Sequence, residues 1–478
     1  MTSILLYTCV PMCAVLSAGP DQPVTHREAG TLYRETYRPQ FHFTARENWL
    51  NDPNGLVYYR GEYHLFFQHN PKGINWGNMT WGHAVSPDLL HWTQLPHALE
   101  PDNLGTMFSG SAVVDWDNTA GFQKGDEKTL IALYTAAGGT SAESAGRPFT
   151  QCLAYSNDRG RTWTKYDRNP VLKHIVKENR DPKVVWHAPS RRWIMTLFLD
   201  EHRFAFLSSP DLKNWTRLHD IDVPECGECP DFFELPVDGD AKRTKWVWTA
   251  ANGRYLVGTF DGRKFTPEGG PLRVDYGMNF YAVQTYSDIP PSDGRRIQIA
   301  WMRDGKYPGM PFNQQMSFPC ELQLRTFPEG IRMIRRPVRE IAALRVREHK
   351  WENEPADAAR NLLAGVQGDL FEIQAEIELL GADEVGLRIR GEPIRYSSRS
   401  RKLSCLGADA PLEPLDGRIR LHVLVDRTSL EVFGNDGRVS LTSCFLPRPD
   451  DRALQTLAAG GPARWLSLRV YELRSTWP

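Results

Sequence analysis

An all-β chain, a five-bladed β-propeller followed by a C-terminal β-sandwich, is what three features of the sequence predict. A Ser-Asp-Trp phrase recurs, a set of acidic and aromatic positions keeps the same interval, and the chain switches to period-two alternation after Val338. The phrase occurs as SPDLLHW at 86–92, SNDRGRTW at 156–163 and SSPDLKNW at 208–215, with a weaker copy, FDGRKF, at 260–265. Each copy lies beside apolar runs such as CLAYS or FAFLS, and Asp-Gly or Asp-Arg-Gly turns between such runs are hairpin signals. Recurrence at about 50 to 70 residues fits four-stranded blades. Asp52, Phe108 with Ser109, Asp181, Glu228 and Asp275 fall once per interval, which predicts five blades whose innermost strands gather distant residues around a central funnel.

The propeller is assigned to 38–338. The charged stretch REHKWENEPADAAR at 347–360 reads as part of a linker over 339–360. Short alternating runs then fill 361–478, among them FEIQAEIEL at 371–379, VGLRIR, RIRLHVLV and RWLSLRVYEL, with Asp436-Gly437 as a hairpin turn. Alternation buries one face of each strand, so antiparallel strands of this kind pair into a sandwich. No run has convincing helical periodicity. Ahead of the propeller, ILLYTCVPMCAVLSA at 4–18 has the apolar core and small-residue end of a secretory signal, assigned to 1–19, although no basic side chain precedes it and Pro11 interrupts it. A secreted or periplasmic location is expected.

Composition narrows the function classes. With 478 residues and 41% hydrophobic content the chain can bury large cores. Its formal net charge of −1 leaves no basic surplus for phosphates, so no nucleic-acid partner is expected. No stretch approaches the ~20 apolar residues of a membrane span. Fifteen Trp supply flat apolar faces with a polar edge of the kind sugar clefts use, although most are expected to be structural. Among eight Cys the lone CGEC at 226–229 lacks a second pair or a His cluster, so no metal and no cofactor are expected, and these thiols read as packing around Glu228. Whether any pair forms a disulfide, and the oligomeric state, stay open.

Three carboxylates stand in stiff local frames: Asp52 in WLNDPNG, Asp181 in RDPK at 180–183 and Glu228 in GECP at 227–230. Proline pushes the preceding residue toward extended backbone, which predicts strand-end or tight-turn settings for Asp52 and Asp181, and Gly55 is expected to let the chain turn away. One Asp-Pro pair is ordinary turn punctuation. Three framed acids, far apart in sequence, are what glycoside cleavage requires, two of them to flank one bond.

These residues closely resemble glycoside hydrolase family 32, the β-fructofuranosidases that include levanases, exo-inulinases and invertases. The resemblance is nearly full length and includes FFQHNP at 66–71, WGHAVSPDLLHW at 81–92, FSGSAVV at 108–114, RDPKV, ECPDFFELP, DYGMNFYA at 275–282 and LEVFGNDGR. It implies a propeller bearing the site with a sandwich beside it, and a fructan or sucrose substrate. It also implies roles: Asp52 as nucleophile, Glu228 as acid/base and Asp181 as transition-state stabiliser. Asn51, Gln68, Trp76, Phe108, Ser109, Arg180 and Trp301 resemble positions lining the terminal fructose subsite. Glu228 should be protonated near neutrality, its carboxyl raised by apolar Cys229, Pro230 and Phe232 and by the Asp52 anion, while Asp52 stays ionised. Arg180 is expected to orient Asp181 or a sugar hydroxyl.

Departures from the family pattern fall at Asn279 in DYGMNFYA, at Cys320 in FPCEL and in WMRDGKYPGMP after Ala300, all expected around the outer substrate region. They put the choice among levan, inulin and sucrose in doubt. The reading that results is an exo-acting, retaining hydrolase. Its rivals are a fructosyltransferase using the same covalent intermediate, a non-catalytic fructan-binding propeller, and a thiol redox site at CGEC.

Overall fold

The computed structural model describes residues 32–448 and 450–478; the expected signal segment 1–19 lies outside them. The described chain is all-β, with two short 3-10 turns, Ala188–Ser190 and Arg339–Leu344, as its only helical elements. None is long or apolar enough to cross a membrane.

Five strands organise the N-terminal part: β1 (Asn48–Tyr59), β2 (Thr106–Asp115), β3 (Arg180–His187), β4 (Asp231–Val237) and β5 (Tyr281–Thr285). Each lies against the next, and β5 lies against β1, so the five close a ring. From β1, β2, β3 and β4 the chain meanders outward through three antiparallel partners. The sheets led by β4 and β5 are joined by one pair, Val237 with Leu324, into a nine-stranded sheet.

The recurring phrase is the corner between the third and fourth strand of a meander. In the first copy Asp88 Oδ1 accepts the Leu90 and His91 N–H groups and the Ser86 hydroxyl, while Trp92 Nε1 donates to the Leu89 carbonyl. The second copy repeats this with Asp158, Ser156 and Trp163, and the third with Asp211, Ser209 and Trp215. In the fourth, Asp261 accepts the Arg263 and Lys264 N–H groups without a Trp. A short Asx turn needs an acceptor at one fixed position, and the indole then locks the strand that follows.

The C-terminal part packs a six-stranded sheet on a five-stranded one around a single apolar core that includes Ile373, Leu387, Val423, Leu441 and Trp465. Arg345–Pro355, within the expected linker, is instead the edge strand of the larger sheet, paired with Arg464–Leu473. Mostly exposed along its length, this edge strand carries charge where an inner strand would carry aliphatics, which hid its period.

A buried polar network fastens the two parts. His42 lies between Asp426 and Glu431, 2.8 Å from each. Arg335 reaches Glu431 and Asp275, both at 3.3 Å, and all five side chains are fully buried. Burial opposes charge on His42, but its bonds to the two carboxylates prevail and raise it to about 9. Asp275, expected in the central funnel, belongs to this network, accepting the Ser440 and Thr442 hydroxyls at 2.8 and 2.7 Å. Its spacing matched the interval because the next inner strand, β5, begins six residues later.

Candidate functional site

Four of the five inner strands break register where they reach the funnel mouth. Pairing slips between Leu50 and Pro53 on β1, between Phe108 and Gly110 on β2, between Arg180 and Lys183 on β3, and between Tyr281 and Gln284 on β5. A bulge adds a residue to one strand and re-aims its side chain; the residues so displaced include Asp52, Ser109 and Asp181. Glu228 comes from the loop before β4, its carbonyl accepting the Ala251 N–H at 3.1 Å. Gly55 does not turn the chain away: it sits at φ +54 within β1, where a Cβ would meet the Phe66 ring at 2.6 Å. Asp181 is not extended but at φ +64, while Glu228 and Cys229 stand at +35 and +43. Such backbone costs about 1–3 kcal/mol per residue for non-glycines and persists where surroundings impose it. Here the Asp181 N–H is captured by Thr135 Oγ1 at 3.0 Å.

The three carboxylates meet around Cys229. Its thiol lies 3.6 Å from Asp52 Oδ2 and 3.5 Å from Asp181 Oδ2, and its N–H donates to Asp181 Oδ2 at 3.0 Å. Cys229 is thus a spacer between two acids, while Cys226 is buried in a separate core. Both thiols are free, and burial beside Asp181, Asp52 and Glu228 raises the Cys229 thiol far above its ordinary range, the opposite of what a reactive thiolate needs.

Asp52 is oriented by Ser109 Oγ, donating to Oδ2 at 2.6 Å, and by Asn51 Nδ2, donating to Oδ1 at 3.0 Å. Asn51 is itself held by Trp49 Nε1 at 2.8 Å. Behind them Asn54, with its amide turned to satisfy its neighbours, accepts from Gln68 Nε2 at 2.9 Å and donates to Ser109 Oγ at 3.2 Å. Gln68 is therefore a buried link in the wall, also donating to the Met107 carbonyl at 2.8 Å. Trp76 is 56% exposed and stands edge-on to Phe108, which in turn meets Phe149. Trp301 is buried against Trp49 and Tyr281, its Nε1 donating to Gln314 at 3.0 Å.

Glu228 has the partners that sequence reading missed. Tyr281 donates its hydroxyl to Oε1 at 2.5 Å, and Arg180 donates Nε and Nη2 to Oε2 at 3.2 and 2.8 Å. Arg180 stands further, 3.8 Å, from Asp181. Tyr281 lay within DYGMNFYA, and its once-per-interval position was the available signal. The charge distribution therefore departs from expectation. Burial pushes Glu228 up, but Arg180 and Tyr281 outweigh it and hold the carboxyl below its usual range. Phe232 packs in another core and gives Glu228 no apolar cover. Asp181 is raised to about 7, by burial first, with Arg180 opposing and Glu228 and Asp52 adding. Asp52 is raised by burial against the Ser109 bond.

Below the carboxylates, side chains of β5 and β3 bond across the ring to inner strands that are not their neighbours. Gln284 accepts the Leu56 N–H and donates to the Gly110 carbonyl, and Lys183 donates to the Thr285 carbonyl at 2.7 Å beside Asp231. Two of the three departures are not at the substrate face: Asn279 bridges the Arg303 carbonyl and the Cys444 N–H, and Cys320 is fully buried, donating to the Phe318 carbonyl, whereas the stretch after Ala300 reaches the site through Arg303, 4.7 Å from the centre of the Tyr281 ring. Small polar residues at both positions bond the backbone locally.

Models of two domains match the chain: Glycosyl hydrolases family 32 N-terminal domain over residues 42–337, and Glycosyl hydrolases family 32 C terminal over 340–472. A levanase of Bacillus subtilis (strain 168) is 43% identical over 494 residues, spanning 94% of this chain and 72% of that protein. An extracellular exo-inulinase of Aspergillus ficuum is 31% identical, spanning 93% of this chain and 96% of that protein. The crystal structure of exo-inulinase from Aspergillus awamori superposes with a TM-score of 0.84 at 30% identity, covering 93% of this chain and all of that one.

Proposed function

The chain belongs to glycosyl hydrolase family 32 and is a β-fructofuranosidase, a hydrolase that releases fructose from fructans or sucrose, and we propose that it does so with retention, from chain ends, through Asp52, Glu228 and Asp181. The observation that carries this is the convergence of three carboxylates on Cys229, two of them within 3.6 Å of one thiol.

Asp52, held by Ser109 and Asn51, attacks the anomeric C2 of the terminal fructosyl unit while a protonated Glu228 gives its proton to the departing oxygen. A covalent fructosyl ester forms; Glu228, now a base, takes a proton from water, which attacks C2 and frees Asp52. Asp181 accepts hydrogen bonds from ring hydroxyls, which strengthen as positive charge grows on the ring. Burial and its neighbours raise Asp181 to about 7 while Arg180 and Tyr281 hold Glu228 below its usual range, so a proton in this cluster favours Asp181 over Glu228. A sugar hydroxyl that draws Arg180 off Glu228 lets the proton reach the group that must donate it.

Exo action is supported by the exo-inulinase relatives and by the side chains that bond across the ring beneath the carboxylates, Gln284 to the Gly110 carbonyl among them. The closed ring of inner strands and four corner motifs support five blades over 38–338, the nine-stranded sheet being two blades joined at one pair. The sandwich then covers 361–478 with the edge strand Arg345–Pro355 added. Export is proposed on the 4–18 segment and on the extracellular relative.

Parallel product analysis on levan, inulin and sucrose tests the reading. Free fructose should be the only early product from the polymers, and early oligomers would overturn exo action. Asp52→Asn should lower turnover by roughly four orders of magnitude with folding unchanged; near-normal turnover would remove the nucleophile.

A further inference from the structure

Where the segment leading toward β1 crosses the sandwich, the surface forms an open recess of about 220 Å³ whose lining includes Arg34, Tyr37, Asp369, Arg390, Arg427 and Arg452. Four guanidinium groups share it with one carboxylate. That carboxylate is already engaged: Arg427 Nε donates to Asp369 Oδ2 at 3.0 Å.

Arg390 is the informative member. The residue is only 6% exposed, and its Nε and Nη1 donate to the carbonyls of Asp451 and Arg427 at 2.9 and 3.2 Å. Among the described residues it has no salt-bridge partner. Burial weakens its hold on its proton, Asp369 and Asp451 partly offset this, and Arg452 adds to the loss. A buried cation without a paired anion is costly, and two carbonyls leave most of its donors unfilled.

We propose that this recess binds a small oxyanion of the phosphate class, either inorganic phosphate or the phosphate group of a sugar ester. Planar guanidinium forks suit such oxygens, each offering paired charge-assisted bonds. A neutral sugar would leave the excess charge uncompensated. The ligand ties the segment containing Arg34 and Tyr37 to sandwich loops. The same segment is gripped a few residues later, where the Gln40 N–H donates to Asp426 at 2.8 Å, next in sequence to Arg427. Occupancy therefore braces the contact between the two parts of the molecule and leaves the carboxylate site untouched.

Titration calorimetry of the whole chain with inorganic phosphate, with a hexose phosphate and with chloride at matched ionic strength tests this. One saturable phosphate site with a sub-millimolar Kd is expected, absent with chloride. Replacing the exposed pair together, Arg34→Ala with Arg452→Ala, should weaken it by at least about tenfold while turnover on sucrose is unchanged. Phosphate stabilises proteins generally, so the difference between wild type and variant is the readout. Tighter binding of the ester identifies an ester ligand and equal binding identifies free phosphate; both support the site. No saturable binding, or equal affinity in the double variant, overturns it.

Discussion

Asp181→Asn separates chemistry from stability in one variant. The substitution keeps shape and leaves an amide oxygen where Oδ2 accepts the Cys229 N–H at 3.0 Å. The hydrogen bonds from the described residues all fall on Oδ2, so Oδ1 has no protein donor among them. If two ring hydroxyls bond this carboxylate in the transition state, a charged acceptor is worth about 1.5–3 kcal/mol for each, against about 1 for a neutral one. The difference, about 1–4 kcal/mol, corresponds to a loss of about fivefold to a thousandfold in kcat at about 1.36 kcal/mol per decade. Stability should move the other way. A carboxyl raised in the fold from 3.8 to about 7 favours the folded state only when protonated, so that contribution is full below 3.8 and lost as pH rises through about 7. Above neutrality the aspartate burdens the fold, and the asparagine removes the burden. Steady-state kinetics on sucrose and thermal unfolding at pH 8 are the assays. A raised KM with kcat intact, or a Tm several degrees lower, would refute the assignment.

Glu228→Gln should cripple turnover of sucrose and fructans far more than of a fructoside whose leaving group needs no proton, and equal losses would argue against the acid role. Arg180→Met removes the cation that keeps Glu228 ionised, so the alkaline limb of the kcat/KM profile should move to higher pH; an unmoved limb means Arg180 does not govern the proton. His42, raised from 6.5 to about 9, contributes stability that is full below about 6.5 and lost as pH rises through 9, on the order of 3 kcal/mol at most. The stability gap between wild type and His42→Gln should accordingly narrow from pH 7 to pH 10, and a constant gap would contradict that linkage.

The legible parts of the sequence are those whose physics is local. Ser86, Asp88 and Trp92 write a corner in seven residues because a side-chain acceptor two or three positions from the N–H groups it binds needs no distant partner. The acids stood out because each sits beside proline or cysteine in a stiff frame. Illegible parts depend on what lies across the fold. Asp275 looked like a funnel residue until Arg335, Ser440 and Thr442 placed it in the junction. Arg345–Pro355 read as linker because an edge strand needs no apolar alternation. The direction of the Glu228 shift ran against expectation because it hangs on Tyr281 and Arg180, 53 and 48 residues from Glu228.

From residue order alone came an all-β chain, a repeating corner and three acids suited to opening a glycosidic bond. Folding decided which strands bulge to present those acids, that a cysteine would space two of them, and in which direction the proton affinity of each acid moves. The division has one cause. Turns and alternation are governed by neighbours in sequence, whereas the charge state of a buried carboxylate is set through space, by whichever cations, hydroxyls and other acids the closed ring of strands brings within a few ångströms.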